Sequence, residues 1–139
     1  MNRFALFLLA LCLSLPAVAE RKERLGELDV HHSVFNSSFL QPTIAAANGL
    51  VRSREQGVVN IAVLKAGQAQ TAAVTGTVRD LLGREQALSF NQVTEGEAIY
   101  YLAQFKFSQR EVLRFTINVT GSDGVARSFT FNQEVFPDP

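Results

Sequence analysis

The chain has 139 residues, of which 13 are basic and 13 acidic, so it carries no formal net charge at pH 7. This balance argues against the strong basic field of a nucleic-acid-binding surface, and we expect no nucleic-acid partner. The length suits one domain, and after the first 15 residues no apolar run is long enough to cross a bilayer.

The N-terminus has the pattern of a secretory signal peptide. Arg3 supplies a positive charge, and the apolar run Phe4 to Leu15 is shorter than the roughly 20 residues that a membrane span requires. Ala17-Val18-Ala19 matches a small-x-small cleavage site. We therefore expect cleavage after Ala19, with residues 1–19 as the signal peptide and 20–139 as a single mature domain. The alternative is an uncleaved anchor.

The only cysteine, Cys12, would be removed with the signal peptide. The mature chain would then have no disulfide and no thiol chemistry, which fits a periplasmic bacterial protein better than a disulfide-rich secreted domain. The run Glu20 to Arg24 mixes both charge signs at the new N-terminus. We interpret it as a frayed, solvated tail.

Seven segments of the mature chain have the pattern of β-strands. The clearest is Leu113–Thr120, in which four large apolar residues alternate with four polar ones. Val58–Lys65 is apolar on both faces, which indicates a central strand. The predicted strands are Leu28–Phe35, Val58–Lys65, Thr71–Arg79, Ala87–Val93, Ala98–Phe107, Leu113–Thr120 and Ala126–Val135.

One short helix is predicted near residues 42–48. Pro42 suits a first helical turn and Gly49 suits the position after the last one, so we expect a helix that plugs one end of the domain. No amphipathic segment is long enough to cover a sheet, and two sheets must therefore cover each other. The sequence predicts an all-β, immunoglobulin-like antiparallel β-sandwich of about seven strands.

The adjacent pair His31 and His32 does not predict a metal site. Neighbouring strand residues point to opposite faces, and the mature chain has no cysteine, methionine or further histidine to complete three or four ligands. We expect His32 to be a buried, hydrogen-bonded core residue and His31 a surface residue. We predict no metal, no cofactor and no catalytic residues. A hydrolase with either histidine as base is kept as the least favoured alternative.

An irregular segment is the best candidate for recognition. Residues 35–42 combine aromatic and polar side chains in neither strand nor helix period, and such segments on a rigid scaffold often carry binding. The alternative is a crossover that caps the sandwich. Two apolar residues on the outer face of a later strand are either a partner patch or packing of a strand buried on both sides. The candidate partner-binding residues are Phe35, Asn36, Phe39, Gln41, Tyr100 and Leu102.

Four stretches together are similar to a family of small exported proteins of Gram-negative bacteria. They are the runs Phe35–Pro42, Gly57–Ile61, Ala98–Phe105 and Phe131–Glu134, and the similarity extends over the whole mature chain. The family is itself a domain of unknown function. The resemblance implies an immunoglobulin-like β-sandwich and a periplasmic location, and it brings no catalytic residues.

These observations lead to one functional hypothesis and two alternatives. We expect a periplasmic, non-enzymatic binding or adaptor domain that contacts another periplasmic or envelope protein. The second hypothesis is a small-ligand or glycan-binding module that uses Tyr100 or the segment Phe35 to Gln41. The hydrolase is third.

Overall fold

Alternating apolar residues build two antiparallel sheets that pack face to face. The structure, a computed structural model, describes residues 21–137. The six-stranded sheet has the order β1 (Arg21–Leu25), β2 (Leu28–Asn36), β3 (Gln56–Lys65), β8 (Ala98–Lys106) and β7 (Asn91–Glu95), with β4 (Gln68–Ala69) on β3. The four-stranded sheet has the order β10 (Ala126–Val135), β9 (Glu111–Thr120), β5 (Ala73–Arg79) and β6 (Glu85–Leu88). The predicted all-β antiparallel sandwich is confirmed. The predicted signal peptide lies outside the described residues.

The main core lies between the two sheets and is centred on β9. Phe115 is fully buried, and its ring stands edge-on to Phe105, with the centroids 5.2 Å apart. It also stacks on Phe131 at 5.0 Å. Ile117 and Val119 are equally buried, as the alternation in Leu113–Thr120 predicts. Removing this apolar area from water stabilises the sandwich by about 25 cal/mol per Å².

The predicted strand Ala87–Val93 is instead two short strands in different sheets. β6 ends at Leu88 in the four-stranded sheet, and β7 begins at Asn91 in the six-stranded sheet. Leu88 is buried in the core and Phe90 packs against it. Both residues point into the core, so the apolar–polar alternation continues from β6 to β7 although the two strands pair in different sheets.

The expectation of a frayed N-terminal tail is wrong, because residues 21–25 form strand β1. This strand pairs with β2, with Arg21 opposite His32. The Arg21 guanidinium lies 5.4 Å from the ring centroid of Phe131 and donates to the backbone oxygen of Asn132 at 2.9 Å. Charged residues are common on edge strands, and the apolar stem of an arginine side chain can cover apolar surface. A run of mixed charges can therefore form a strand that the apolar–polar pattern does not indicate.

The predicted short helix is confirmed as α1 (Pro42–Ala47), but it does not plug an end of the sandwich. It lies over the outer face of the six-stranded sheet, where Ala45 packs in a second, smaller core with Leu50, Val58 and Leu102. Apolar residues next to Val58 and Leu102 in the chain point to the opposite face of the sheet and belong to the main core. Strand β3 is apolar on both faces because each face packs against a core. Its predicted central position, between β2 and β8, is confirmed. None of the helices within residues 21–137 has the length and apolar character of a membrane span.

Candidate functional site

Residues 37–53, which we call the outer cap, make up most of the connection between β2 and β3 and lie over the outer face of the six-stranded sheet. Ser37 is fully buried, and its hydroxyl donates to the Ser53 carbonyl at 3.0 Å and accepts from the Ser53 N–H at 2.9 Å. The side-chain amide of Gln104 on β8 makes the same pair of contacts with Val51, donating to its carbonyl at 2.7 Å and accepting from its N–H at 2.9 Å. These side chains satisfy backbone groups that a strand would otherwise pair, so the irregular segment is held in place.

Three of the predicted partner-binding residues lie beneath the outer cap. Leu102 is only 7% exposed and belongs to the second core, against which Phe35 and Tyr100 also pack. The structure therefore supports packing of a strand covered on both sides. The hypothesis of an open patch formed by Tyr100 and Leu102 is corrected, because the outer cap occupies that face.

The other three predicted residues have different surroundings. Phe39 is 74% exposed at the end of a 3-10 turn over Ser37–Phe39. Gln41 precedes α1 and its carbonyl accepts from the Ala45 N–H at 3.0 Å. Asn36 donates from Nδ2 to the Phe136 carbonyl at 2.8 Å, which ties β2 to the end of the described chain. Of these three, Phe39 offers the most apolar surface.

The outer cap exposes two further large apolar residues, which nothing in the sequence pattern distinguishes from buried ones. Ile44 is 41% exposed and Val51 is 54% exposed. Arg52 donates to the Ser38 carbonyl at 3.0 Å, beside the Ser37–Ser53 contacts. These contacts join the beginning of the outer cap, at Ser37 and Ser38, to its end, at Arg52 and Ser53. The joined residues are next to Phe39 and Val51 in the chain. We call Phe39, Ile44 and Val51, the exposed large apolar residues of the outer cap, the cap patch.

A separate cleft of about 510 Å³ opens at one end of the sandwich, between the sheets. Its apolar lining comes from Val78, Phe107 and Leu113. Gln86 on β6 crosses between the sheets, donating to the Lys106 carbonyl at 2.8 Å and accepting from the Lys106 N–H at 2.9 Å. The volume is in the range of small-molecule sites, which is roughly 300–1,000 Å³.

Asp80 on the wall of this cleft has a structural role. Its carboxylate accepts from the backbone N–H of Leu82 and of Arg84, both at 2.9 Å, and from Nε of Arg84 at 2.6 Å. Partial desolvation raises the pKa of Asp80, but the hydrogen bonds from Arg84 outweigh it and the pKa is lowered overall. The carboxylate is thus held ionised in a turn, whereas a general acid has to carry a proton that it can donate.

His32 is buried in the main core, as predicted, but the predicted hydrogen bond is not found, because its Nε2 has no hydrogen-bond partner among residues 21–137. The ring stacks on Phe131 with centroids 4.2 Å apart, and Nε2 lies 3.8 Å from a carboxylate oxygen of Glu23. Burial lowers the pKa of His32, and Arg21 lowers it further, against the opposing effect of Glu23. His31 is half-buried on the opposite face. Within residues 21–137, no group of three or more His, Cys, Asp or Glu side chains is placed to hold a metal ion.

We expect the buried His32 ring to destabilise the fold in mild acid. Its folded pKa is below the ordinary 6.5, so the unfolded chain binds the proton more tightly. The free energy of unfolding should be constant above pH 6.5 and fall as the pH drops from 6.5 towards the folded pKa. Asp80 and Asp123 have pKa values lowered from 3.8 and act only in stronger acid.

Urea denaturation between pH 5 and 7.5 measures this effect. His32→Leu should flatten the profile in that window, whereas His31→Gln should leave it unchanged. An identical pH slope in wild type and His32→Leu would contradict the assignment.

Comparison with known proteins places the chain in a family. Residues 22–138 match DUF4426, described as a domain of unknown function. The crystal structure of PA0388, a DUF4426 family protein from Pseudomonas aeruginosa, superposes on this chain with a TM-score of 0.82. The two sequences are 53% identical, and the match covers 86% of this chain and 97% of PA0388. No curated protein matches the chain.

More distant solved structures share the fold alone. FetP of uropathogenic Escherichia coli, expressed in the periplasm, is 11% identical with a TM-score of 0.64, covering 87% of this chain and 96% of that chain. A copper-bound FetP variant is 10% identical with a TM-score of 0.60, covering 86% and 96%. The predicted resemblance to an uncharacterised family is confirmed: this chain belongs to the DUF4426 family, a domain of unknown function.

Proposed function

We propose that this protein is an exported, periplasmic, non-enzymatic binding domain that contacts another envelope protein through the cap patch. The observation that carries the proposal is the exposure of Phe39, Ile44 and Val51 on a segment clamped to a packed core. Full burial of a side chain of this kind contributes roughly 1.5–3 kcal/mol. Because the outer cap is already ordered, little conformational entropy is lost when a partner covers it.

The partner has an apolar surface bordered by acidic groups. Arg52 follows Val51 in the chain and is exposed. A guanidinium group next to an apolar patch favours carboxylates at the rim of the partner, since complementary charge steers association. The export part of the proposal is supported by the N-terminal leader pattern and by the fold shared with FetP, which was expressed in the periplasm.

The non-enzymatic part is supported by the positions of the two histidines. Neither ring lines the end cleft, and the ring of His32 is enclosed by Phe129 and Phe131. A general base needs to reach the proton that it abstracts, and a ring stacked in the core does not.

Site-specific photo-crosslinking in the native host tests the contact with a partner. A photoreactive residue at position 39 should give a discrete covalent adduct with an envelope protein. The matched control is position 81, because Leu81 is 82% exposed but lies in the turn between β5 and β6. Equal adducts at positions 39 and 81 would contradict the proposal.

The captured partner then allows an affinity measurement. Phe39→Ala should weaken binding by at least about tenfold, which corresponds to roughly 1.4 kcal/mol. Leu81→Ala should bind as the wild type does. Both variants should keep the wild-type melting temperature, since both side chains are exposed.

A second candidate function, small-ligand binding, is favoured by the end cleft and not by Tyr100 or residues 35–41. Glu55, Lys106 and Glu111 line the cleft and form no ion pair among the described residues. A mixed-charge rim over an apolar lining suits a small zwitterion. A thermal-shift screen with amino acids, repeated on Glu111→Gln, separates this function from protein binding, because Phe39→Ala should leave any such shift intact.

A further inference from the structure

The outer face of the four-stranded sheet is a hydroxyl-rich surface with two arginines at one end. Thr116 on β9 lies directly opposite Thr77 on β5 and Thr130 on β10. In the next row along this face, Arg114 lies directly opposite Arg79. These five residues line a shallow depression of about 310 Å³. The face is on the other side of the sandwich from the outer cap.

The two arginines differ in their partners. Arg79 donates to the Glu85 carboxylate at 2.7 Å. Arg114 has neither an ion pair nor a hydrogen bond from its guanidinium within residues 21–137, and its other cross-strand neighbour, Asn132, is neutral. Like charges directly opposite each other in a sheet destabilise the pairing. The depression therefore carries an uncompensated positive charge.

The side chains that line the depression can all donate hydrogen bonds. A guanidinium has five N–H donors and no acceptor, and each threonine hydroxyl donates one hydrogen bond. The hydroxyls of Thr77, Thr116 and Thr130 form no hydrogen bond with other described residues. Free guanidinium and hydroxyl donors around a concave surface match the oxygens of a tetrahedral oxyanion, which accept several hydrogen bonds at once.

We propose that this depression binds an oxyanion of the phosphate type, with Arg114 as the main charged contact and the three threonine hydroxyls as secondary donors. The ligand is free phosphate or a phosphate group on a glycan or lipid. Arg79 forms the second wall and keeps its contact with Glu85. This site is independent of the cap patch, since the two lie on opposite faces of the molecule.

Titration with inorganic phosphate at constant ionic strength, followed by NMR of the full mature chain, tests the site. We expect saturable shifts at the amides of Thr77, Arg114, Thr116 and Thr130. Arg114→Gln should weaken the binding by at least about tenfold. Arg24→Gln is the matched control, because it makes the same charge change on an edge of the other sheet, where Arg24 pairs with Asp29 at 3.2 Å. It should bind as the wild type does.

A melting experiment shows that any loss in Arg114→Gln is not unfolding. Without phosphate this variant should be at least as stable as the wild type, because one of two opposed positive charges is gone. With phosphate, the wild type should gain stability and the variant should not. Shifts that do not saturate, or equal affinity in wild type and Arg114→Gln, would overturn the proposal.

Two further probes identify the source of the phosphate group. Glucose 6-phosphate should reproduce the shifts if the ligand is a soluble phosphorylated sugar. If the ligand is a lipid headgroup, the wild type should co-sediment with phosphatidylglycerol vesicles and Arg114→Gln should not. Sedimentation that is equal for both proteins would exclude the lipid source and leave the soluble anion.

Discussion

Replacing Phe115 by alanine is expected to lower the free energy of unfolding by about 3–5 kcal/mol. Phe115 is fully buried, and its ring is in contact with Phe105 and Phe131, which come from the two facing sheets. Alanine leaves a void between the sheets and removes both aromatic contacts. Each such contact is worth roughly 0.5–1.5 kcal/mol beyond the area that it buries.

Urea denaturation of wild type and variant at pH 7.5 measures this loss. Phe39→Ala is the control, because it removes the same ring from a position that is 74% exposed, and it should change stability by less than about 0.5 kcal/mol. A loss below about 1 kcal/mol for Phe115→Ala would show that the sandwich does not depend on this contact between the sheets.

The second large effect is expected at Gly57, the second residue of β3. Gly57 is directly opposite Phe105 on β8, and the Phe105 ring lies over its backbone. A β-carbon at position 57 would overlap atoms of that ring. The Phe105 ring is buried and in contact with the rings of Phe107 and Phe115, which restricts its movement away from position 57. We expect Gly57→Ala to cost about 1–3 kcal/mol or more through overpacking.

A double-mutant cycle distinguishes overpacking from an effect on the unfolded chain. In a Phe105→Leu background the obstructing ring is absent, and Gly57→Ala should cost much less than in the wild type. If alanine at position 57 has the same effect in both backgrounds, steric conflict with Phe105 is not the cause. Circular dichroism of each variant checks that the β-sheet content is kept.

Strand β3 links this core to the candidate binding surface. Val59 faces the main core, and Val58 faces the second core beneath the outer cap. A change that shifts β3 therefore affects both layers. For this reason the tests of the cap patch use Phe39→Ala, whose side chain contributes to neither core, and not substitutions at the base of the outer cap.

The candidate site was only partly predictable. The irregular composition of residues 35–42 indicates a recognition segment, and Phe39 is exposed there. Leu102 looks equally apolar in sequence, but it is buried, and the residues that cover it, Ala45 and Leu50, lie more than 50 positions earlier in the chain. The opposition of Arg79 and Arg114 is likewise invisible in sequence, since it depends on the register between β5 and β9.

Local alternation of apolar and polar residues was sufficient to predict most of the strands and the sandwich, and Pro42 and Gly49 were sufficient to predict the short helix between them. The alternation suffices because side-chain direction repeats every two residues along a strand, whatever the strand pairs with. Only the tertiary structure decided which sheet each strand joins, that residues 21–25 form an edge strand, and that α1 covers an outer face. These features depend on hydrogen bonds and contacts between residues far apart in the chain, and no local period records them.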